Sequence, residues 1–199
     1  MNPQDLLDQD PLKTFESWFK EAEASGKLRE PRAMALATLS PDGRPHNRIV
    51  LFKDLSDEGV TFYTNYDSQK GKDLSANPFC EVVFYWDPLG KQVRISGSVQ
   101  KTSRETSEAY WATRPRESQL SQHVSRQSTP VESREQMIEA VEKARRDFAN
   151  KEIPLPENWG GYLLIPSHVE LWIADPARLH DRFVFSKFKD GWTSARLHP

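Results

Sequence analysis

The sequence has very little cysteine and no long apolar segment, and each absence excludes a class of protein. Among 199 residues only Cys80 is a cysteine, which excludes an internal disulfide and a cysteine-rich metal site. No apolar run reaches the roughly 18 residues of a transmembrane helix. The N-terminal segment is acidic and lacks an apolar stretch, so we expect no signal peptide. We therefore expect a cytoplasmic enzyme or binding protein.

The sequence also lacks an excess of charge of one sign and the common catalytic motifs. The 27 Lys and Arg residues are balanced by 29 Asp and Glu residues, which argues against a nucleic-acid partner. There is neither a glycine-rich phosphate loop nor a G-x-S-x-G motif. The five histidines show no H-x-x-x-H spacing, so we expect no metal site.

The patterns that are present predict a mainly β protein with peripheral helices. Asp10 and Pro11 begin a predicted helix over residues 10–25, and a helical insertion is expected at about 103–148. Short apolar segments between turn residues predict antiparallel strands, with 161–165 and 168–173 as separate strands near the C-terminus. Because βαβ alternation is absent, we predict a single β-barrel domain over residues 1–199 and no doubly wound sheet.

Two clusters of basic residues stand at the ends of predicted elements. Arg48 begins an apolar strand and Lys53 ends it, and their odd separation places them on opposite faces of a regular strand. Arg114 to Ser118 follows a predicted helix and is itself followed by Arg126 to Ser128. Guanidinium and hydroxyl groups on loops suit phosphate recognition, although ordinary solvated charges explain both clusters as well.

A third cluster, Arg178 to Arg182, has two arginines and a histidine around one aspartate. Alternation along a strand places Arg178, His180 and Arg182 on one side and directs Leu179 into the core. As for the first two clusters, ordinary solvated charges are the alternative explanation of this one. Together the three clusters can serve two phosphate groups without a glycine-rich loop.

Ten short motifs in these segments, in order along nearly the whole chain, resemble the pyridoxamine 5′-phosphate oxidase family. Each motif alone has low specificity, whereas ten at family-like spacing are highly specific. They are RIVLFK (48–53), FYTN (62–65), SQKG (68–71), KQV (91–93), RPRESQ (114–119), RQS (126–128), WGGY (159–162), ELW (170–172), RLHDR (178–182) and the terminal RLHP (196–199).

The resemblance implies an FMN-binding split β-barrel that forms a homodimer with two FMN sites between the subunits. It implies a flavoprotein oxidoreductase of vitamin B6 metabolism, which converts pyridoxamine or pyridoxine 5′-phosphate to pyridoxal 5′-phosphate while O2 is reduced to H2O2. The flavin itself carries the redox chemistry, so the protein has to position the reactants and tune their charge. Neither a nucleic-acid nor a membrane partner is expected.

Carried over motif by motif, the resemblance implies two overlapping sets of site residues. The FMN-binding set is Arg48, Ile49, Val50, Leu51, Phe52, Lys53, Tyr63, Thr64, Lys70, Gln92, Gln127, Ser128, Trp172 and Arg182. The substrate-binding set is Lys53, Tyr110, Arg114, Ser118, Arg178 and His180. Arg178 and His180 are also the expected catalytic residues, since the resemblance places them over the pyridine ring.

The chain departs from the family pattern in two places. Gln69 stands before Lys70 where many members carry arginine, so we expect weaker FMN binding. The family often has a longer N-terminal segment with Arg and Tyr over the substrate, and residues 1–9 contain neither. Two other functions stay open: a related flavin oxidase for another substrate, such as a dihydrophenazine intermediate, and a non-catalytic protein that binds FMN or pyridoxal phosphate.

Overall fold

The computed structural model describes residues 3–199, and Met1 and Asn2 of the acidic N-terminal segment lie outside the described residues. Over that range nine strands form one antiparallel sheet, as the predicted mainly β fold requires. The strands are Ala33–Leu39 (β1), Pro45–Leu51 (β2), Asp54–Ser56 (β3), Gly59–Asn65 (β4), Phe79–Trp86 (β5), Lys91–Lys101 (β6), Trp159–Ile173 (β7), Asp181–Phe188 (β8) and Gly191–Leu197 (β9). The helices are Pro11–Ala24 (α1), Gln69–Ala76 (α2), Arg104–Thr113 (α3), Arg116–Val124 (α4) and Arg134–Asp147 (α5).

Helix α1 begins where the sequence predicts and covers the aromatic core of the barrel. The Asp10 side chain accepts hydrogen bonds from the backbone N–H groups of Leu12 and Lys13, which satisfies donors that the first helical turn leaves free. Phe15 is fully buried, and its ring lies 5.5 Å from that of Phe52 and 4.9 Å from that of Phe84. The helix thereby anchors the end of the segment that follows β2.

Strand β7 is one long strand, so the prediction of two strands at 161–165 and 168–173 is wrong. The register with β6 shifts between Ser96 and Gly97, opposite Pro166, and the strand continues through this bulge. The residue of β7 without a partner in β6 is Ser167, since Ser96 pairs with His168 and Gly97 pairs with Pro166. Proline is tolerated next to a bulge, and an added Cβ at Gly97 would lie 1.9 Å from the Ile165 carbonyl oxygen. The first part of β7 pairs with β4 and the second part with β8.

Helices α3, α4 and α5 lie between β6 and β7 and have a small core of their own. Trp111, Leu120, Ala144 and Trp159 are buried there together with the loop residues Ile153 and Leu155. The Trp111 indole donates a hydrogen bond to the carbonyl oxygen of Ile153 at 2.8 Å. This core fixes the α3–α4 corner, which carries Arg114 and Ser118, against the first residue of β7.

The described chain contains no helix that is long and apolar enough to cross a membrane. Within residues 3–199 no group of His, Cys, Asp and Glu side chains could hold a metal ion. Cys80 is buried in β5, and burial raises the pKa of its thiol to about 12, as expected for an inert core thiol.

Candidate active site

One cleft, with a volume of about 360 Å³, lies where the end of β2, β4 and the helices α2, α3 and α4 meet. Clefts of this volume are typical of small-molecule sites. It brings together predicted flavin-binding and substrate-binding residues from distant parts of the sequence. Its lining residues are Ile49, Val50, Leu51, Lys53, Tyr63, Thr64, Lys70, Tyr110, Arg114, Pro115, Ser118, Gln122, Gln127 and Trp159.

Lys70 is a buried cation in the first turn of α2 and is only 8% exposed. Its Nζ donates to the Gln127 side-chain oxygen at 3.3 Å and to Ser68 Oγ at 3.4 Å, and it forms no ion pair with any carboxylate of the described chain. Burial, together with the nearby charge of Arg48, lowers the pKa of Lys70. Because a buried ammonium with only neutral acceptors is costly, this arrangement suits an anionic ligand near the N-terminus of the helix.

A stack of three aromatic rings forms another wall of the cleft. The Tyr63 and Tyr110 rings are 3.9 Å apart, and the Tyr63 and Trp159 rings are 5.5 Å apart. Lys53 Nζ lies 5.8 Å from the Tyr110 ring, and the Arg114 guanidinium lies 4.9 Å from the Trp159 ring. The wall therefore combines a flat apolar surface with a second group of cations, which suits a phosphorylated aromatic compound.

Lys53 lies beyond the end of β2, so the predicted alternation with Arg48 along one regular strand is wrong. Arg48 is inside β2 but is not among the lining residues. Its Nη1 donates to Thr38 Oγ1 at 2.7 Å, and its Nη2 lies 3.4 Å from the Asp73 carboxylate. Any contact of Arg48 with a flavin phosphate therefore has to compete with this carboxylate.

Asp73, in α2, is the centre of a buried polar cluster that the sequence did not single out. Its carboxylate accepts hydrogen bonds from Thr38 Oγ1 at 2.6 Å and from the Gln69 amide at 2.9 Å, and it lies 3.0 Å from His46 Nδ1. Burial by itself would raise the pKa of Asp73, but the hydrogen bonds outweigh it and hold the pKa at about 2. Gln69, where many family members carry arginine, thus binds Asp73, and we expect Gln69→Arg to tighten FMN binding.

We expect Asp73 to make the protein sensitive to acid. Its pKa is depressed in the folded state, so the stability it contributes is present above the unfolded pKa of about 3.9 and is lost as the pH falls toward 2. Asp73→Asn should lower the free energy of unfolding by about 1–2 kcal/mol at pH 6 and by much less at pH 2.5. Urea unfolding of the FMN-free protein at both pH values measures this difference.

The exposed Asp190 supplies the control for this measurement, since Asp190→Asn removes an equal charge outside the cluster. A pH-independent difference between Asp73→Asn and the wild type would contradict the assignment, because it would mean that the carboxylate titrates alike in the folded and unfolded states.

Besides Arg48, the predicted flavin-binding residues Phe52 and Ser128 lie outside the cleft lining. Phe52 is 4% exposed and packs in the core on Phe15 and Phe19. Ser128 is exposed, one residue after Gln127, and its backbone has φ 69°. A left-handed conformation is unusual for a residue other than glycine and is often found at ligand-binding positions.

The remaining predicted residues lie away from the cleft, on the outer face of the sheet at β6, β7 and β8 or in the loop that precedes β8. Gln92 pairs with Trp172, and Trp172 pairs with Arg182, so the three side chains stand side by side on one face. Arg182 Nε donates to Glu170 at 2.8 Å, which also raises the pKa of the guanidinium. We call Gln92, Trp172, Arg178, His180 and Arg182 the outer-face group. None of them lines the cleft.

Arg178 and His180 lie in the loop before β8, so the prediction of a strand with Leu179 in the core is wrong. Leu179 is 69% exposed, and Arg178 has φ 63°. The Asp175 side chain accepts hydrogen bonds from the backbone N–H groups of Ala177 and Leu179, and this local turn replaces the strand. His180 Nδ1 accepts from the Asp175 N–H at 3.0 Å, which leaves Nε2 as the protonated nitrogen of the neutral ring.

Asp73, Gln122 and the wall residue Trp159 are absent from the predicted site sets. Asp73 follows Gln69 by four positions on α2, and Gln122 follows Ser118 by four positions on α4. Residues four apart share one face of a helix, so this spacing was the available signal.

Comparisons with known proteins agree with these observations. Residues 20–146 match the family described as pyridoxamine 5′-phosphate oxidase, and residues 159–199 match the pyridoxine 5′-phosphate oxidase C-terminal dimerisation region. The pyridoxine/pyridoxamine 5′-phosphate oxidase of Rubrobacter xylanophilus is 45% identical over 98% of this chain and 90% of its own length. The oxidase of the same description from Burkholderia multivorans is 47% identical over 96% of this chain and 89% of its own length.

Solved structures show the same fold. PhzG from Burkholderia lata, in complex with tetrahydrophenazine-1-carboxylic acid, superposes with a TM-score of 0.90 at 29% identity and covers 96% of this chain and 93% of its own. A pyridoxamine 5′-phosphate oxidase-related, FMN-binding protein from Nostoc punctiforme has a TM-score of 0.76 at 20% identity over 97% of this chain and 100% of its own. The predicted split-barrel fold is thereby confirmed, and the chain belongs to the pyridoxamine 5′-phosphate oxidase family.

Proposed function

We propose that the protein is an FMN-dependent oxidase that converts pyridoxamine 5′-phosphate or pyridoxine 5′-phosphate to pyridoxal 5′-phosphate. For the amine, the substrate, O2 and water give the aldehyde, ammonia and H2O2. Bound FMN supplies the electron acceptor for this oxidation. We expect the use of O2 from the resemblance, and the cytoplasmic location and the single-domain organisation from the composition and pattern of the sequence.

The observation that carries this proposal is the presence of two separate groups of cations in one cleft with an aromatic wall. Lys70, with Gln127 and Ser68, forms the first group, and Lys53 and Arg114 against the aromatic rings form the second. Both the cofactor and the substrate of this reaction carry a phosphate. We assign the flavin phosphate to Lys70 and the substrate phosphate to Lys53, Arg114 and Ser118, because these three lie beside the aromatic wall on which a pyridine ring can stack.

The residues of this chain bind and orient the reactants. Lys70 neutralises part of the flavin phosphate, and Thr64 Oγ1, which donates to Gln127 at 3.3 Å, fixes the amide beside it. Tyr110 stacks on Tyr63 and presents a rigid surface beside Lys53. A substrate held by its phosphate and its ring has few orientations left, and such positioning is the main contribution of a protein to flavin chemistry.

We propose further that a second copy of the chain completes each site. The outer-face group is separate from the cleft, and four of its five members (Trp172, Arg178, His180 and Arg182) fall inside the segment that matches a dimerisation region. Apolar side chains that a soluble monomer would seldom leave in water support the same conclusion, since Ile49 is 65% exposed and Phe79 is 63% exposed. In a homodimer the outer-face group of one subunit can meet the cleft of the other.

A phenazine-type substrate is the second candidate, because the structure with a TM-score of 0.90 has a tetrahydrophenazine carboxylic acid bound. Lys53, Arg114 and Ser118 favour the phosphorylated substrate, since three donors at one place exceed what a single carboxylate requires.

We expect the purified protein to be a yellow dimer that releases H2O2 when pyridoxamine 5′-phosphate is added. The test compares peroxide release with pyridoxamine 5′-phosphate, pyridoxine 5′-phosphate, unphosphorylated pyridoxamine and tetrahydrophenazine-1-carboxylic acid, beside the absorption spectrum and the elution volume. The two phosphorylated vitamers should be turned over far faster than the other compounds.

A colourless protein that takes up no added FMN would contradict the proposal. A yellow protein that oxidises only the phenazine compound would replace it with the second candidate, and a yellow protein inactive on all four compounds would indicate a flavin-binding protein without this activity.

A further inference from the structure

Gln122 lines the cleft on the same side as the predicted substrate-binding residues Arg114 and Ser118. The three residues follow one another at intervals of four, with Ser118 and Gln122 on one face of α4 and Arg114 at the corner before it. The helix thus carries a row of polar side chains along the wall of the cleft, and the sequence motif accounts only for the first two.

The amide of Gln122 has a buried nitrogen, Nε2, that makes no hydrogen bond in the described chain. The same is true of Arg114 Nε. Such unsatisfied buried donors are rare in folded proteins because each has lost its hydrogen bonds to water without replacement. Here two of them stand in one wall of one cleft.

The chemistry of the Gln122 amide and the Arg114 guanidinium indicates which hydrogen-bond partner is missing. Both are N–H donors, so the missing partner is a hydrogen-bond acceptor, and the guanidinium of Arg114 selects an anion. Burial lowers the pKa of Arg114, which reflects a cation that has lost water and gained no carboxylate. Lys53, above the Tyr110 ring in the same cleft, adds a second positive charge.

We propose that Gln122 is a further substrate-binding residue, whose side-chain amide donates a hydrogen bond to the phosphate of the bound B6 vitamer beside Arg114 and Ser118. This inference rests on the proposed function. The flavin phosphate is the other anion in the cleft, but Lys70 and Gln127 are the groups assigned to it, and neither is on α4.

The test compares Gln122→Ala and Gln122→Glu in the FMN-loaded enzyme. Loss of a hydrogen bond from the amide to the charged phosphate should raise the KM for pyridoxamine 5′-phosphate by about 10- to 150-fold, with kcat within about twofold of the wild type. Gln122→Glu keeps the shape but places a carboxylate against the phosphate, so its KM should rise more than that of Gln122→Ala. Gln136→Ala, a glutamine exposed on α5 and outside the cleft lining, is the matched control.

A binding measurement separates a phosphate contact from a general defect. Calorimetric titration should show weaker binding of pyridoxal 5′-phosphate to both Gln122 variants, by the same factors, and no change for unphosphorylated pyridoxal. The FMN content of both variants should equal that of the wild type.

Three results would overturn the inference while the proposed function stands: a KM for both variants equal to that of Gln136→Ala, a loss of FMN in Gln122→Ala, or tighter binding in Gln122→Glu. A wild-type protein that oxidises no B6 vitamer would instead overturn the proposed function, and the inference with it.

Discussion

Lys70→Met is expected to weaken FMN binding by about 10- to 150-fold while making the FMN-free protein more stable. The ammonium is buried, pairs with no carboxylate of the described chain, and has a lowered pKa, so the empty fold carries the cost of its desolvation. The bound phosphate offsets that cost through a charge-assisted hydrogen bond worth about 1.5–3 kcal/mol. Fluorescence titration with FMN and urea unfolding of the FMN-free protein measure the two effects.

Lys72→Met is the matched control, because Lys72 is two positions further along α2 and exposed. It should change neither quantity by more than a small amount. The assignment of the phosphate to Lys70 fails if Lys70→Met leaves FMN affinity at the level of Lys72→Met, and the account of the buried cation fails if the FMN-free Lys70→Met protein is less stable than the wild type.

Arg178→Ala is expected to lower kcat/KM for pyridoxamine 5′-phosphate by about tenfold or more with FMN content near normal. Each 1.4 kcal/mol of lost transition-state binding corresponds to a factor of ten, and Arg178 is an exposed guanidinium whose backbone is held by the Asp175 turn. Arg182→Ala should instead reduce flavin retention first. Steady-state kinetics beside flavin occupancy distinguish the two roles, and the reverse pattern would show that they are exchanged.

Heterodimers test directly whether each site combines residues of two subunits, because the outer-face group and the cleft are on separate surfaces of one chain. A subunit with Lys53→Ala and Arg114→Ala can be co-expressed with a differently tagged subunit with Arg178→Ala and His180→Ala. If each site takes its cleft from one subunit and its outer-face group from the other, the heterodimer keeps one intact site of two and should have about half the wild-type activity. The two parent homodimers have none intact. Activity no greater than the mean of the parents would mean that each site is built within one chain.

Much of the barrel could be predicted because its signals are local. Asp10 before Pro11 defines the start of α1, and Ser68 and Ser103 accept hydrogen bonds from the backbone N–H groups of Gly71 and Thr106 at the starts of α2 and α3. Strand β5 spans Phe79–Trp86, the bounds that its nearly continuous apolar segment between Pro78 and Pro88 predicts.

The wrong predictions concern segments where a bulge, a turn or a contact with a distant residue overrides the strand pattern. The sequence predicts separate strands on the two sides of Pro166, but the bulge opposite Gly97 lets one strand continue. Alternation predicts Leu179 as a core residue between two cations. Instead, the Asp175 side chain accepts a hydrogen bond from the Leu179 N–H, and the resulting turn leaves the Leu179 side chain exposed. The cluster around Asp73 joins residues from three elements, and no local pattern reports such an assembly.

In the candidate site, the motifs predict residues of the cleft and residues of the outer-face group. They do not predict that these residues lie on two separate surfaces of one chain. That division depends on the order of the strands in the sheet, where β2 and β8 are separated by β1, β5, β6 and β7. Strand order is set by long-range pairing, which composition and spacing do not encode.

The long strand β7 has a consequence for how the protein can move. Its first part holds β4, which carries Tyr63 and Thr64, and its second part holds β8, which carries Arg182. Both β4 and β8 pair along one edge of this continuous strand, while β6 pairs along the other. We therefore expect β4, β7 and β8 to form a single cooperative unit, in which amide hydrogens exchange with solvent at similar, slow rates. We therefore expect the motions that admit and release ligands to occur in helices α3 to α5. The small core of these helices can loosen while the hydrogen bonds of the sheet remain intact.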